Sequence, residues 1–303
     1  MRKFRELRWL VASLALVALI GAACGSDDED PGAGGNGGEV EEFGADTTMG
    51  KIQEAGTIKV GVKYDVPLFG FKNPQSGDVE GFDVDLAQAV ADELGVELEL
   101  VEAISDNRIP FLQDGTVDVV FSTMTITTDR DAEIDFSRPY YIAHGRILTS
   151  KDSGIEGAED TAGKRICTAL GSTYETVVIP EQLPDAKPRI VDTYSECFQL
   201  LQRGQVDGMI TDDVILAGFL QQDDSMQIIG DNLTTDPYGA GVKNDDTEMG
   251  DFVSGVLDDL LAEGTWNDLY EEWIGQYTGQ PAEDPTDWTL EQALEEYPCV
   301  ETC

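Results

Sequence analysis

Apolar residues along the central part of the chain form short runs that switch between strand and helix spacing. Thr57–Val62, Val96–Val101 and Val117–Phe121 read as strands. Between them, Leu86–Leu94 has apolar residues at helical spacing, and Ile109–Gln113 reads as a shorter helix. A second series follows Ile142–Leu148. Its strands are Lys164–Thr168, Ile190–Thr193, Val206–Thr211 and Met226–Ile229, and its helices are Ser172–Ile179, Ser195–Gln202 and Asp213–Gln221. A strand at Tyr238–Lys243 and helices at Asp246–Glu263 and Trp266–Ile274 complete the pattern, with Gln280–Pro285 linker-like and Leu290–Tyr297 a short amphipathic tail. Strands alternating with helices predict an α/β fold on largely parallel sheets.

In both series, polar residues stand where a strand ends: Ser122–Arg130 in the first, Asp212 and Asp213 in the second. Open α/β sheets bind ligands at those carboxyl ends. Two such edges facing each other would form a cleft, with the chain crossing near Ala143–Arg146 and returning near Leu233–Gly239. The run from Ser122 to Arg130 suits an amino acid's α-carboxylate. Arg130 offers a rigid, permanently charged fork, and Ser122, Thr123 and Thr125 offer short hydroxyl or backbone donors. Asp212 is an acceptor for an ammonium, and the same position also suits a helix N-cap.

The chain begins with Arg2, Lys3, Arg5 and Arg8, followed by an apolar or small-residue stretch from Trp9 to Ala23 and then Cys24. This is the layout of a secretory signal, and it is too short for a permanent span. Gly21-Ala22-Ala23-Cys24 resembles a bacterial lipoprotein cleavage box, so residues 1–23 are expected to be removed and Cys24 to be lipidated. Residues 24–50 then form a flexible acidic, Gly-rich tether. Export permits disulfides among Cys167, Cys197, Cys299 and Cys303, and four cysteines allow three pairings. The single histidine and the cysteine spacing disfavour zinc, and neither metal nor cofactor is expected. The whole chain carries 19 basic and 60 acidic residues; without residues 1–23 it carries 15 and 59, a net of −44. Such a surface repels nucleic acid, and it makes each placed cation informative.

Gly61–Asp65, Gly81–Ala87, Ser122–Arg130 with Phe136–Tyr141, Gly171–Thr173, Asp192–Cys197, Gly204–Asp207, Thr211–Asp213 and Gly264–Trp266 stand in an informative order. With them the chain resembles the polar amino-acid family of extracellular solute-binding proteins of ABC importers, over about Gly56–Gly275. Within that family it looks most like the glutamate-binding lipoproteins of actinobacteria. The resemblance implies a two-lobe, type II periplasmic-binding-protein-like α/β fold with two crossover strands and a central ligand cleft. The first lobe is expected from residues 51–143 and 236–278, the second from 144–235, and a tail from 279–303. Arg130 would grip the α-carboxylate, Thr123 and Thr125 would add donors, Ser172 and Thr173 would help from the second lobe, and Asp212 would take the α-ammonium. Lys63, after the first strand, would meet a side-chain carboxylate, Tyr194 would add a hydroxyl, and Phe69 would cover the ligand stem.

The resulting expectation is a non-enzymatic, monomeric, lipid-anchored receptor on the outer face of the cytoplasmic membrane, delivering L-glutamate to an ABC permease. Glutamine, aspartate and cystine are the alternative ligands. A sensor and a dehydratase-like enzyme are the alternative classes. No Gly-x-Ser-x-Gly elbow or phosphate-binding loop occurs. His144 and Arg146 are assigned to the crossover, and Tyr140 and Tyr141 to packing.

Overall fold

The computed structural model describes residues 40–297. The signal segment, Cys24, Cys299 and Cys303 lie outside the described residues. The strands are β1 (Thr57–Val62), β2 (Asp65–Val66), β3 (Gly70–Lys72), β4 (Val79–Glu80), β5 (Glu97–Glu102), β6 (Val119–Val120), β7 (Ile134–Ser150), β8 (Arg165–Ala169), β9 (Lys187–Val191), β10 (Gly208–Asp212), β11 (Met226–Ile229) and β12 (Thr235–Lys243). The helices are α1 (Thr48–Ala55), α2 (Phe82–Leu94), α3 (Arg108–Asp114), α4 (Thr128–Asp131), α5 (Ile179–Gln182), α6 (Tyr194–Gln202), α7 (Asp213–Leu220), α8 (Thr247–Glu263), α9 (Thr265–Tyr270), α10 (Gln276–Thr278) and α11 (Leu290–Glu296).

The main sheet runs β5-β1-β6-β12-β7-β10-β8-β9, with β11 also on β7. Strand β7 belongs to two half-sheets. Its residues Ile134–His144 pair with β12 in the first lobe, and Gly145–Leu148 pair with β10 in the second. Each lobe keeps a parallel core: β1 pairs in parallel with β5 and β6, and β8 with β9 and β10. Parallel strands covered on both faces favour continuous apolar sequence. Strand β1 follows this, with Ile58, Val60 and Val62 fully buried. Helix α2 covers it with Phe82, Leu86, Ala87, Val90, Ala91 and Leu94, and ends at Gly95 in the left-handed conformation that glycine tolerates. Burial of each large aliphatic side chain contributes about 1.5–3 kcal/mol.

An aromatic cluster lies where the crossover strands leave the first lobe. The Phe69 ring packs edge-on against Phe82, Tyr141 and Tyr238, with centroids 5.7, 5.3 and 5.9 Å away. Trp266 extends the cluster and donates its indole N–H to the Tyr140 carbonyl at 2.9 Å. In the second lobe, Cys167 on β8 is bonded to Cys197 on α6, which selects one of the pairings left open by the sequence. A cross-link 30 residues apart adds about 3–4 kcal/mol on the loop-closure account.

Three elements depart from the periodicity. Helix α1 falls partly in the stretch expected to be tether; its apolar anchors are Met49 and Ile52, and Thr47 caps it. The stretch expected as one helix from Ser172 is a π-helical turn over Tyr174–Val178 that leads into α5, with Pro180 in the first turn of α5. Proline has no N–H for a helix bond there. Strands β2–β4 form a separate small sheet, each too short to leave a periodic signal.

Candidate ligand-binding cleft

The polar groups of both lobes gather at the carboxyl ends of the parallel strands. Lys63 follows β1, Ser105 and Arg108 follow β5, and Ser122–Thr125 follow β6. From the other side come Gly171–Tyr174 after β8, Tyr194 after β9 and Asp212 at the end of β10. The lobes touch directly. Asp65 accepts from the Ser195 amide and hydroxyl at 3.1 and 2.9 Å. The Gly171 carbonyl accepts from both Arg108 (3.2 Å) and Arg130 (3.1 Å). Gly171 has φ +73°, and a Cβ there would lie 2.6 Å from the Asp106 Cα, so only glycine allows this approach.

Arg130 sits in the short helix α4, whose N-cap hydroxyl, Thr127, accepts the Arg130 amide. The residue is partly exposed, but its guanidinium is buried enough to lower its pKa, and it also donates to the Thr125 carbonyl at 2.7 Å. The run from Met124 to Ile126 is laid along β12: Ile126 donates to Pro237 and Gly239 donates to Met124. Thr123 has φ +44°, an unfavourable conformation for a β-branched residue. Arg108 holds this kink. Buried to 2% exposure, it donates to the carbonyls of Ser105, Ser122 and Thr123, each at 3.0 Å. Asp83 holds it from the other side by accepting the Thr123 amide at 2.9 Å. The Thr123 hydroxyl is buried with no hydrogen-bond partner among the described residues, whereas Ser122 donates to the Ala103 carbonyl.

In the second lobe Asp212 occupies the N-cap position of α7, yet its side chain makes no capping bond. Its carboxylate instead accepts from the Tyr174 hydroxyl at 3.0 Å. The same hydroxyl stands 3.1 Å from Asp236 on β12. Asp236 also faces the hydroxyls of Thr125, Thr234 and Tyr297. Burial, and then the neighbouring Asp236 carboxylate, raises the Asp212 pKa well above the ordinary value; burial raises that of Asp236. Ser172 is tied to the Ala169 carbonyl, and Thr173 lines a 410 Å³ cavity with Arg130 and Tyr297.

Lys63 is 1% exposed, and its ammonium donates to the Ser105 hydroxyl at 2.6 Å and stands over the Tyr194 ring. Burial lowers its pKa well below that of a free lysine, and Arg108 lowers it further. Burial also pulls Arg108 down to about 9, which leaves it charged at neutral pH.

Burial raises Asp83 to about 7, against the Thr123 and Tyr140 hydrogen bonds that favour its charged form. Because its folded pKa lies above the unfolded value, its stabilising contribution is complete below about pH 4 and fades as pH rises through 7. The Asp83 contribution to the melting temperature is therefore expected to fall between about pH 4 and 7, and Asp83→Asn is expected to flatten that fall. An unchanged slope in thermal melts of the variant would contradict the assignment.

Of the residues singled out in the sequence, Arg130, Thr123, Thr125, Lys63, Ser172, Thr173, Tyr194 and Asp212 converge on this cleft. Ser122 contributes its carbonyl to Arg108, and Phe69 stands in the aromatic cluster. Arg146 and His144 are at the crossover, where Arg146 donates to the Ile229 carbonyl and His144 pairs with Glu283. Sequence reasoning missed Arg108, Ser105, Tyr174, Asp236 and Asp83. Arg108 had a usable signal: it is one of few cations in an acidic chain and lies just beyond a strand's carboxyl end.

Residues 58–276 match the sequence profile of bacterial extracellular solute-binding proteins, family 3. The chain belongs to that family. It is 36% identical over 281 residues to the ABC transporter glutamine-binding protein GlnH of Bacillus subtilis, covering 90% of this chain and 99% of that protein. It is 32% identical over 290 residues to the glutamate-binding protein GluB of Corynebacterium glutamicum, covering 91% and 92%. A crystal structure of the P235GK mutant of ArgBP from T. maritima matches with a TM-score of 0.70 at 33% identity, covering 74% of this chain and 98% of that one. The higher identity to a glutamine-binding protein corrects the expectation that the glutamate-binding lipoproteins are the most alike. The chain is thus a non-enzymatic, extracytoplasmic solute-binding protein.

Proposed function

We propose that the receptor captures L-glutamate by lobe closure, holding the α-carboxylate on Arg130 with Thr123 and Thr125, and the α-ammonium on Asp212. Ser172, Thr173 and Tyr194 contribute from the second lobe, and Phe69 backs the pocket through the aromatic cluster. The lobes divide at residues 51–143, 144–235 and 236–278, and Cys24 anchors the protein by lipid outside the cytoplasmic membrane.

One observation carries the choice of glutamate. Lys63 is buried with its hydrogen bond spent on a neutral hydroxyl, and burial together with Arg108 outweighs the help its charged form gets from Asp65 and Asp83. Keeping that ammonium charged in the interior is costly, and a ligand's side-chain carboxylate set against it would offset the cost. Its arrival also raises the lysine pKa by favouring the charged form. L-glutamine is the second reading. The named ligand of the B. subtilis relative favours it, and a lysine whose charged form is disfavoured by burial can also serve an amide.

A calorimetric panel of L-glutamate, L-glutamine, L-aspartate and L-cystine tests the choice. Lys63→Ala is expected to weaken glutamate by at least about tenfold more than glutamine, since loss of a buried charge partner costs about 2–5 kcal/mol. Equal losses for the two ligands would remove Lys63 from the side-chain subsite, and tighter wild-type binding of glutamine would favour the second reading.

A further inference from the structure

The segment after residue 276 lies beyond the family match, yet it returns to the cleft. Its helix α11 opens with a capping box from Thr289 and Gln292. Ala293 is fully buried against the first-lobe cluster that includes Leu112, Met124 and Ile126, and Leu290 and Leu294 pack beside it. Thr128, at the start of α4, fastens the end of this helix: its amide donates to the Tyr297 carbonyl at 3.1 Å and its hydroxyl to the Leu294 carbonyl at 3.2 Å. Tyr297 is thereby delivered, 7% exposed, with its hydroxyl donating to Asp236 Oδ1 at 2.7 Å.

That contact ends a chain of hydrogen bonds crossing the cleft. Asp236 Oδ2 faces the Tyr174 hydroxyl of the second lobe, which also reaches Asp212. Asp236 Oδ1 has a second suitor, the Thr125 hydroxyl, at the longer distance of 3.4 Å. We propose that Tyr297 is a positioning residue of the ligand cleft: by making the short bond to Asp236 Oδ1 it keeps the Thr125 bond to the same oxygen long and weak, so that the Thr125 hydroxyl is readily surrendered to the ligand's α-carboxylate beside Arg130. Without the Tyr297 hydroxyl, the Thr125 bond to Asp236 tightens, because a buried carboxylate oxygen left short of donors is unfavourable. The tail therefore helps to set ligand affinity from outside the family core. This rests on the reading of Arg130 and Thr125 as carboxylate ligands.

The full-length chain carrying Tyr297→Phe keeps the ring's packing and loses only the donor. Calorimetry with L-glutamate and L-glutamine as probes is expected to show an affinity loss of about fivefold, by the same factor for whichever probes the wild type binds, with little change in melting temperature. Glu283→Ala, which removes the tail's separate tie to His144, is expected to leave affinity unchanged. Unchanged affinity in Tyr297→Phe while the wild type binds would overturn the proposal and leave the receptor function standing. An equal loss in Glu283→Ala would overturn it in favour of general bracing by the tail. A wild type that binds no amino acid would remove the functional reading and this proposal together.

Discussion

Replacing Arg130 by alanine is expected to weaken binding of every α-amino acid by at least about 100-fold. The α-carboxylate is common to all candidate ligands, so the loss should not depend on the side chain. Truncating one member of a desolvated, hydrogen-bonded charge pair costs about 2–5 kcal/mol, and each 1.4 kcal/mol is tenfold in affinity. Arg130→Lys should recover only part of it, because a point charge cannot reproduce the two-pronged geometry. The residue also donates to the Thr125 and Gly171 carbonyls, so some loss of thermal stability is expected. A calorimetric titration on protein shown by melting to be folded at the working temperature separates the two effects. Retained affinity in that protein would remove Arg130 from the site.

Arg108→Ala is expected to act mainly on the fold. The guanidinium is buried and donates to four carbonyls, three in the first lobe and Gly171 in the second. Its removal strands those carbonyls and releases the backbone at Thr123, which is held at positive φ. Losing one partner of such a network costs about 3–5 kcal/mol, or roughly 10 °C in melting temperature for a chain of this size. Lysine has too few donors in the right directions to rescue it. An unchanged melting temperature would show that Arg108 is not what holds the Ser122–Thr123 kink.

Much of this architecture is legible in the chain because strand and helix periods alternate cleanly. The polar residues marking the cleft follow strand ends, which is why Arg130, Asp212 and Lys63 stand out. The residues that escaped notice act through tertiary contact. Tyr174 follows two hydroxyl residues and reads as an apolar position of an ordinary helix, yet its hydroxyl joins two carboxylates. Asp236 is one acid among 60, and nothing in its neighbours announces that four hydroxyls surround it. Asp83 sits at the first turn of α2, where an acid is ordinary. Its burial against Thr123 and Tyr140 depends on residues about 40 and 57 positions away. Tail docking is likewise long-range: the amphipathic pattern at Leu290–Tyr297 predicts a helix but not its seat.

One zwitterion is expected to join the two lobes, with its carboxylate on the first and its ammonium on the second. A crystal structure grown with L-glutamate tests it most directly. The account predicts the α-carboxylate within hydrogen-bond reach of the Arg130 guanidinium and the α-ammonium on Asp212. A bound amino acid that touches only one lobe, with Arg130 still spent on the Thr125 and Gly171 carbonyls, would contradict it.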